Sequence, residues 1–337
     1  MIVDCHCHVI PAGMFTDAVP QSWQPLLTVT DGRPVVSFQG RQLTSVTGEF
    51  SDVSVMLEQA ATTGVTHLLV SPWILLVPVL AELPVATRIC RVQNESIARA
   101  AQDSGGRVYG LGSVPLQDAS LAAAELADLM KLPGMRGVEV PASVAGTYLG
   151  DDRFTPFWEA AADTGALVFV HPTTTGLGIG GLDGGYLWNS VGNPLETTIA
   201  AAQLVVGGML ERQAGLRILL AHGGGALPAL RGRLRQAFAV RPEARADGAR
   251  EPADSLRRLY FDSLTHDAAV QADLVAFAGT DHVLLGSDRP FDMGTARPVE
   301  EIRALGLPAH DEQMLLGGNA ARLLGLSTAE PDHERMR

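Results

Sequence analysis

Near the start of the chain, Asp4-Cys5-His6-Cys7-His8-Val9 places two histidines two residues apart, beside two cysteines. In an extended strand, residues i and i+2 point the same way. His6 and His8 are therefore expected on one face, and Cys5 and Cys7 on the other. Two imidazoles projecting together suit two ligands of a single metal ion. A Cys/His zinc knuckle fits less well, because its ligands would lie on opposite faces. The cysteines, turned outward, then read as small buried apolar groups.

This pair alone also fits two histidines with ordinary polar partners. Three later positions extend it. The stretches ALVFVHP, RILLAHGGG and HVLLGSDRPF put His171, His222 and Asp288 directly after short apolar runs. A packed strand has no reason to end repeatedly in an ionisable side chain. Four histidines and one aspartate at strand ends form an N/O site for a divalent transition metal, with Zn²⁺ favoured and Mn²⁺ the alternative. Such an ion can polarise a substrate oxygen or activate a water. A neighbouring imidazole, which ordinarily titrates near neutrality, can then move a proton.

These residues need a scaffold that brings strand ends together. Strands are expected at 2–7, 66–71, 108–114, 137–140, 167–171, 217–221, 259–262 and 282–286. Helical patterns fill the gaps at 53–63, 85–104, 119–130, 155–164, 195–213, 228–240, 268–278 and 298–304. Regular β-then-α alternation implies parallel strands with helical crossovers. Eight such units point to an α/β protein, a closed (β/α)₈ TIM barrel. Its strand ends at one face would carry the site. A doubly wound open sheet is the alternative, and the first helix slot carries no GxGxxG to support its dinucleotide-binding form.

Two stretches interrupt the rhythm. Residues 26–45 alternate apolar and polar around Asp31-Gly32 and Gln39-Gly40, and read as a small antiparallel meander inserted after strand one. Residues 173–192 form a Gly-rich loop of the kind that covers binding sites. The expected organisation is one barrel domain over 1–327 with the 26–45 insertion, and a polar tail over 328–337.

Bulk properties narrow the classes. The chain has 337 residues, 46% of them hydrophobic, enough for a sizeable core. A net charge of −12 disfavours nonspecific nucleic-acid binding. Three cysteines make no disulfide framework, which points to a reducing, cytoplasmic setting. No basic and apolar leader precedes the first strand. The apolar run at 74–80 is interrupted by Pro78, followed by Pro84, and is too short to span a bilayer.

The stretches VDCHCHVIP, LVFVHP, GNPLETTIAAAQLVVGGMLER, ILLAHGGGALPALRGRL, YFDSLTHD, LLGSDRPFDMG and GNAARLLGL together resemble the amidohydrolase superfamily. The resemblance is to its amidohydrolase-related branch, typified by aminocarboxymuconate-semialdehyde decarboxylase, and runs from Val3 to Leu326. It implies a (β/α)₈ barrel with His6, His8, His171 and Asp288 around one metal ion and no organic cofactor. It makes His222 the acid–base residue beside the metal, with Asp288 able to share in proton transfer. It also implies a homodimer and nonoxidative decarboxylation, with hydration or hydrolysis as related chemistries.

For the substrate, a small carboxylic acid, arginines are the natural grip. The family's first substrate arginine aligns with Thr47 here, leaving Arg41 as the nearest. The second, which reaches across the dimer, matches Arg241; a helix C-terminal cation is its plainer reading. Arg289 replaces the tyrosine of the family's TDYPF and is a candidate compensating cation. Trp188 and Phe291 are candidate pocket walls, with core packing the alternative. His266 is expected to contact the ligands from outside, oriented by Asp267. His67 and His282 read as structural, His310 and His333 as solvated, and Glu196 as a charge at a helix N-terminus. The leading function is a metal-dependent decarboxylase of a small unsaturated or aromatic acid. The alternatives are a hydrolase or hydratase of a lactone, amide or enol acid, and a catalytically silent metal-binding sensor.

Overall fold

Apolar runs too short for helices, each followed by a polar or Gly/Pro break, fold as strands along this chain. The computed structural model describes residues 1–326 apart from 31–32, 44–46, 174–177, 179 and 247. The tail at 328–337 lies outside the described residues, as do part of the Gly-rich loop and the side chain of Arg41. The strands are β1 (Val3–Val9), β2 (Leu26–Thr30), β3 (Arg33–Phe38), β4 (Arg41–Leu43), β5 (His67–Pro72), β6 (Val108–Gly112), β7 (Met135–Pro141), β8 (Ser143–Val144), β9 (Thr147–Tyr148), β10 (Leu167–His171), β11 (Arg217–Leu220), β12 (Tyr260–Asp262) and β13 (Val283–Leu284).

Eight of these form one sheet in the order β1-β5-β6-β7-β10-β11-β12-β13. Its ends meet. The Cys5 N–H donates to the Leu285 carbonyl and the His8 N–H to the Arg289 carbonyl, each at 2.8 Å, and Cys7 pairs in parallel with Arg289. The sheet thus closes into the expected barrel. Helices fall where the 3.6-residue pattern put them, among them Val53–Ala61, Ala119–Leu129 and Ala268–Ala278. Asp52, Asp118 and Asp267 cap these three by accepting from the first free N–H groups. The single helix expected at 195–213 is two, Asn193–Val206 and Met209–Arg212, because Gly208 turns to φ 69° between them. A short hairpin, β8–β9, was not legible in the sequence; Ala145 and Gly146 form its turn, both at positive φ.

The core has two shells. Leu68, Val70, Val138, Val140, Val168 and Val170 pack outward against the helices. Leu69, Leu111, Phe169, Leu219 and Leu284 fill the barrel interior. The interior cluster also takes in Ala320, Leu323 and Leu324 of the helix Asn319–Leu324. That helix caps the end where the strands begin, since Arg217 Nη1 bonds the Leu323 carbonyl at 3.1 Å.

The two cysteines of β1 do not share a face. Cys7 packs in the outer shell and Cys5 in the interior with Val3. The pairing with β5 shifts between Asp4 and Cys7, so β1 carries one extra residue there. A bulge of this kind breaks strict alternation locally. His6 and His8 still fall on the same side as each other, facing the barrel axis.

The insertion folds as an antiparallel three-stranded sheet, β2-β3-β4, followed by the short helix Thr47–Ser51. It has its own apolar core: Val36, Phe38 and Phe50 pack with Ile10, Met14 and Trp73. Phe291 packs against this cluster, so the insertion walls one side of the barrel mouth.

Candidate metal centre

His6 and His8 leave β1, His171 ends β10, and Asp288 follows β13. All four are buried, and one donor atom from each lies within 4.8 Å of all the others. His6 Nε2 is 3.0 Å from His8 Nε2, and each of these nitrogens is 3.3 Å from Asp288 Oδ1. His171 Nδ1 donates to the Pro172 carbonyl at 2.9 Å. Among the described residues its Nε2 is buried with no hydrogen-bond partner, and so is Asp288 Oδ1. Buried polar atoms rarely go without partners. Here they converge on one point, where a single cation would satisfy them. Three imidazoles and a carboxylate are a donor set that a divalent transition metal accepts.

The electrostatics agree. Burial pushes His8 down, and pushes His171 well down with help from the neighbouring imidazoles. Burial acts the same way on His6, but the Asp288 and Asp262 carboxylates outweigh it and raise it to about 10. Burial works against the charge of Asp288, yet the His6 charge and the close approach of the His222, His6 and His8 rings hold it well below the usual carboxylate range. The pocket therefore favours an anionic Asp288 with positive charge beside it, the role a cation fills.

His222 stands next to this cluster, with Nε2 3.5 Å from Asp288 Oδ2 and Nδ1 buried without a partner. Both residues adopt left-handed backbone, φ 56° for His222 and φ 57° for Asp288. Non-glycine residues rarely hold that conformation unless their surroundings impose it. For His222 the cause is Asp262. Its carboxylate accepts from the backbone N–H groups of His222 (2.8 Å), Gly223 (2.7 Å) and Leu264 (3.1 Å), and from His6 Nδ1 at 2.5 Å. One buried aspartate thus orients a candidate ligand and the candidate acid–base residue together. Gly286 makes room for this arrangement: a Cβ there would come within 2.9 Å of the Cβ atoms of both Asp262 and His6.

Other supports lie further out. Asp4 accepts from Ser287 Oγ (2.5 Å) and Ser287 N (3.1 Å), fixing the turn that carries Asp288. Glu196 is fully buried and does more than sit at a helix start. It accepts from Thr173 N (2.7 Å), Thr173 Oγ1 (2.8 Å) and Ser143 Oγ (3.0 Å), so it holds the backbone just after His171.

The expected substrate residues are distributed differently. Phe291 packs 5.3 Å from the His8 ring, centroid to centroid, and lines the site. Trp188 is exposed on the turn Trp188–Gly192, edge-on to Tyr186. Arg289 pairs with Cys7, an outward-facing residue, so its side chain leaves the barrel axis; its Nη1 donates to Glu49 Oε2 at 2.9 Å. It ties the insertion's helix to the barrel instead of facing the cluster. Arg241 is exposed at a helix end, 3.6 Å from Glu243. His266 is exposed, and Asp267 is engaged in capping its own helix; the carboxylate that touches a ligand from outside is Asp262. The sequence reading does not include Asp262 and Asp4, which support the site from behind.

The amidohydrolase family model matches residues 3–326. Over 243 residues the chain is 32% identical to the 2-amino-3-carboxymuconate-6-semialdehyde decarboxylase of Dictyostelium discoideum, covering 72% of this chain and 67% of that one. Over 250 residues it is 30% identical to the 6-methylsalicylic acid decarboxylase of Penicillium expansum, covering 71% and 75%. Its fold matches the crystal structure of a dihydroxybenzoic acid decarboxylase from Polaromonas sp., bound to manganese and the inhibitor 2-nitroresorcinol. That match has a TM-score of 0.78 at 19% identity, over 97% and 98% of the two chains.

Proposed function

This chain belongs to the amidohydrolase family, and we propose that it is a metal-dependent nonoxidative decarboxylase of a small unsaturated or aromatic carboxylic acid. The observation that carries the reading is the convergence of His6, His8, His171 and Asp288, with two of their donor atoms bare, beside His222. Those four would hold one divalent ion. Three imidazoles favour Zn²⁺; Mn²⁺ is the alternative, in line with the manganese of the Polaromonas enzyme.

A divalent ion there supplies Lewis-acid polarisation of a substrate oxygen. The chain's residues supply the rest. The bond between the substrate's carbon and its carboxylate breaks, and its electron pair stays on the carbon. His222, as imidazolium, delivers the proton that this carbon takes up, and CO₂ departs. Asp262 keeps the His222 backbone in place during the transfer, and Phe291 presents an apolar wall to an unsaturated ring or chain. We further read the chain as a homodimer in the cytoplasm. Exposed Leu230, Val240 and Arg241 on one helix and its end supply an apolar and basic surface for a second copy, and three unpaired buried cysteines suit a reducing compartment.

The test is CO₂ release from ring-carboxylated phenols, muconates and pyrone acids, after chelation and after return of Zn²⁺ or Mn²⁺. Metal-dependent CO₂ release is the expected result. Substrate opening without CO₂ would make the chain a hydrolase, addition of water without opening or CO₂ a hydratase, and metal binding without turnover a sensor.

A further inference from the structure

Glu139 lies on β7 opposite Phe169 of β10. Paired residues on parallel strands point to the same face, and Phe169 belongs to the barrel interior. Glu139 therefore projects inward. It is fully buried, and among the described residues neither carboxylate oxygen has a partner in good hydrogen-bond geometry, with His8 Nδ1 standing 3.5 Å from Oε1. Burial pushes its carboxyl well above the usual range, against the opposing pull of His6 and the Ser71 hydroxyl. A carboxyl group so poorly served by partners weakens the fold. Stability alone would place an apolar side chain there.

The geometry of His8 supplies a reason. Its Nε2 faces His6 and Asp288, so Nε2 is the atom offered to a cation. An imidazole that offers one nitrogen in this way carries its proton on the other. His8 Nδ1 is thus an N–H, and three acceptors surround it: Ser71 Oγ at 3.1 Å, the Pro72 carbonyl at 3.4 Å and Glu139 Oε1 at 3.5 Å.

We propose that Glu139 is a positioning residue of the metal centre: together with Ser71 it accepts the Nδ1–H of His8, fixing the tautomer and ring orientation that aim Nε2 at the ion. The inference rests on reading the four-residue cluster as a metal site. What matters is an acceptor at Oε1, so glutamine serves in place of glutamate and methionine does not.

The experiment uses the full chain, stripped of metal and titrated with Zn²⁺ and with Mn²⁺ in competition with a chromophoric chelator. Glu139→Met is expected to bind each ion roughly tenfold to a hundredfold more weakly than wild type. Its metal-stripped form is expected to melt no lower than the stripped wild type, because an apolar chain of similar length replaces an unbonded carboxyl. Glu139→Gln is expected to stay within about threefold of wild type. Unchanged affinity in Glu139→Met overturns the proposal. So does equal weakening in both variants, which would make charge and not acceptance the requirement. A Glu139→Met chain that fails to fold overturns it as well, since the carboxyl would then be structural. If the wild type itself takes up neither ion, the metal reading falls and this inference with it; wild-type binding with an unaffected Glu139→Met removes the inference alone.

Discussion

Two carboxylates back the two histidines of β1, and they could hardly be treated more differently. Asp262, beneath His6, accepts four hydrogen bonds, three of them from backbone. Burial opposes its charge, but the His6 hydrogen bond and charge and the Gly223 N–H bring it below the ordinary aspartate value. Glu139, beneath His8, makes no well-formed hydrogen bond, only a 3.5 Å approach from His8 Nδ1, and burial pushes it the other way. The contrast separates two uses of a buried acid. One is built into the backbone and holds the shape of the barrel mouth. The other touches the fold loosely and acts on a single imidazole.

The sharpest way to break this comparison is Asp262→Ala. It leaves buried donors on His222, Gly223, Leu264 and His6 with no acceptor, and should cost about 3–5 kcal/mol of stability in urea unfolding. Metal uptake should fall with it. A variant that kept its unfolding midpoint would erase the distinction, because Asp262 would then behave as Glu139 is expected to. Glu196 is the next probe. It is bonded like Asp262 but stands behind His171, holding Thr173. Glu196→Ala should cost about 1–3 kcal/mol, read from the same unfolding curves, which would place it with the bonded acids.

The smallest effect is expected far from the site, at His67. This half-buried imidazole at the start of β5 has the Thr66 hydroxyl 2.8 Å away. Burial, then the nearby N-terminal amine and Arg107, push its pKa below 6.5. As pH falls through 6.5 the unfolded chain takes up the proton first. The stability His67 contributes is therefore complete above that pH and declines below it, until the folded protein titrates too. Unfolding midpoints at about pH 7.5 and about pH 5.5 should differ less in His67→Gln than in wild type. An unchanged slope would show that burial at the strand's start leaves its charge cost unaltered.

Much of the architecture could be read from the chain. Apolar runs of strand length alternating with amphipathic helices imply eight parallel strands, and that number of β-then-α units points to the barrel, which the bonds from Cys5 and His8 to Leu285 and Arg289 close. The ligand candidates were legible because an ionisable residue after an apolar run is conspicuous. The same signal marks YFD and GVEV, which end in or carry Asp262 and Glu139. There it competes with His266, an imidazole four residues beyond Asp262 that is the more conspicuous candidate from sequence. Cys5 was misassigned because a bulge adds a residue to β1, and nothing local in DCHCHV announces it. Arg289 reads as a substrate cation because it stands where the family's TDYPF has tyrosine; its pairing with Cys7 turns its side chain away from the axis. Side-chain direction at a strand end depends on the neighbouring strand, and that information is hundreds of residues away.

The seam where the sheet closes has a consequence for how the protein comes off the ribosome. The hydrogen bonds that join the first strand to the last barrel strand and the turn after it involve Leu285 and Arg289. Asp288 sits between them. A nascent chain that ends before Leu285 carries His6, His8 and His171 but neither Asp288 nor these closing bonds. With the cluster read as a metal site, capture of the ion and completion of the barrel would fall together as one late event.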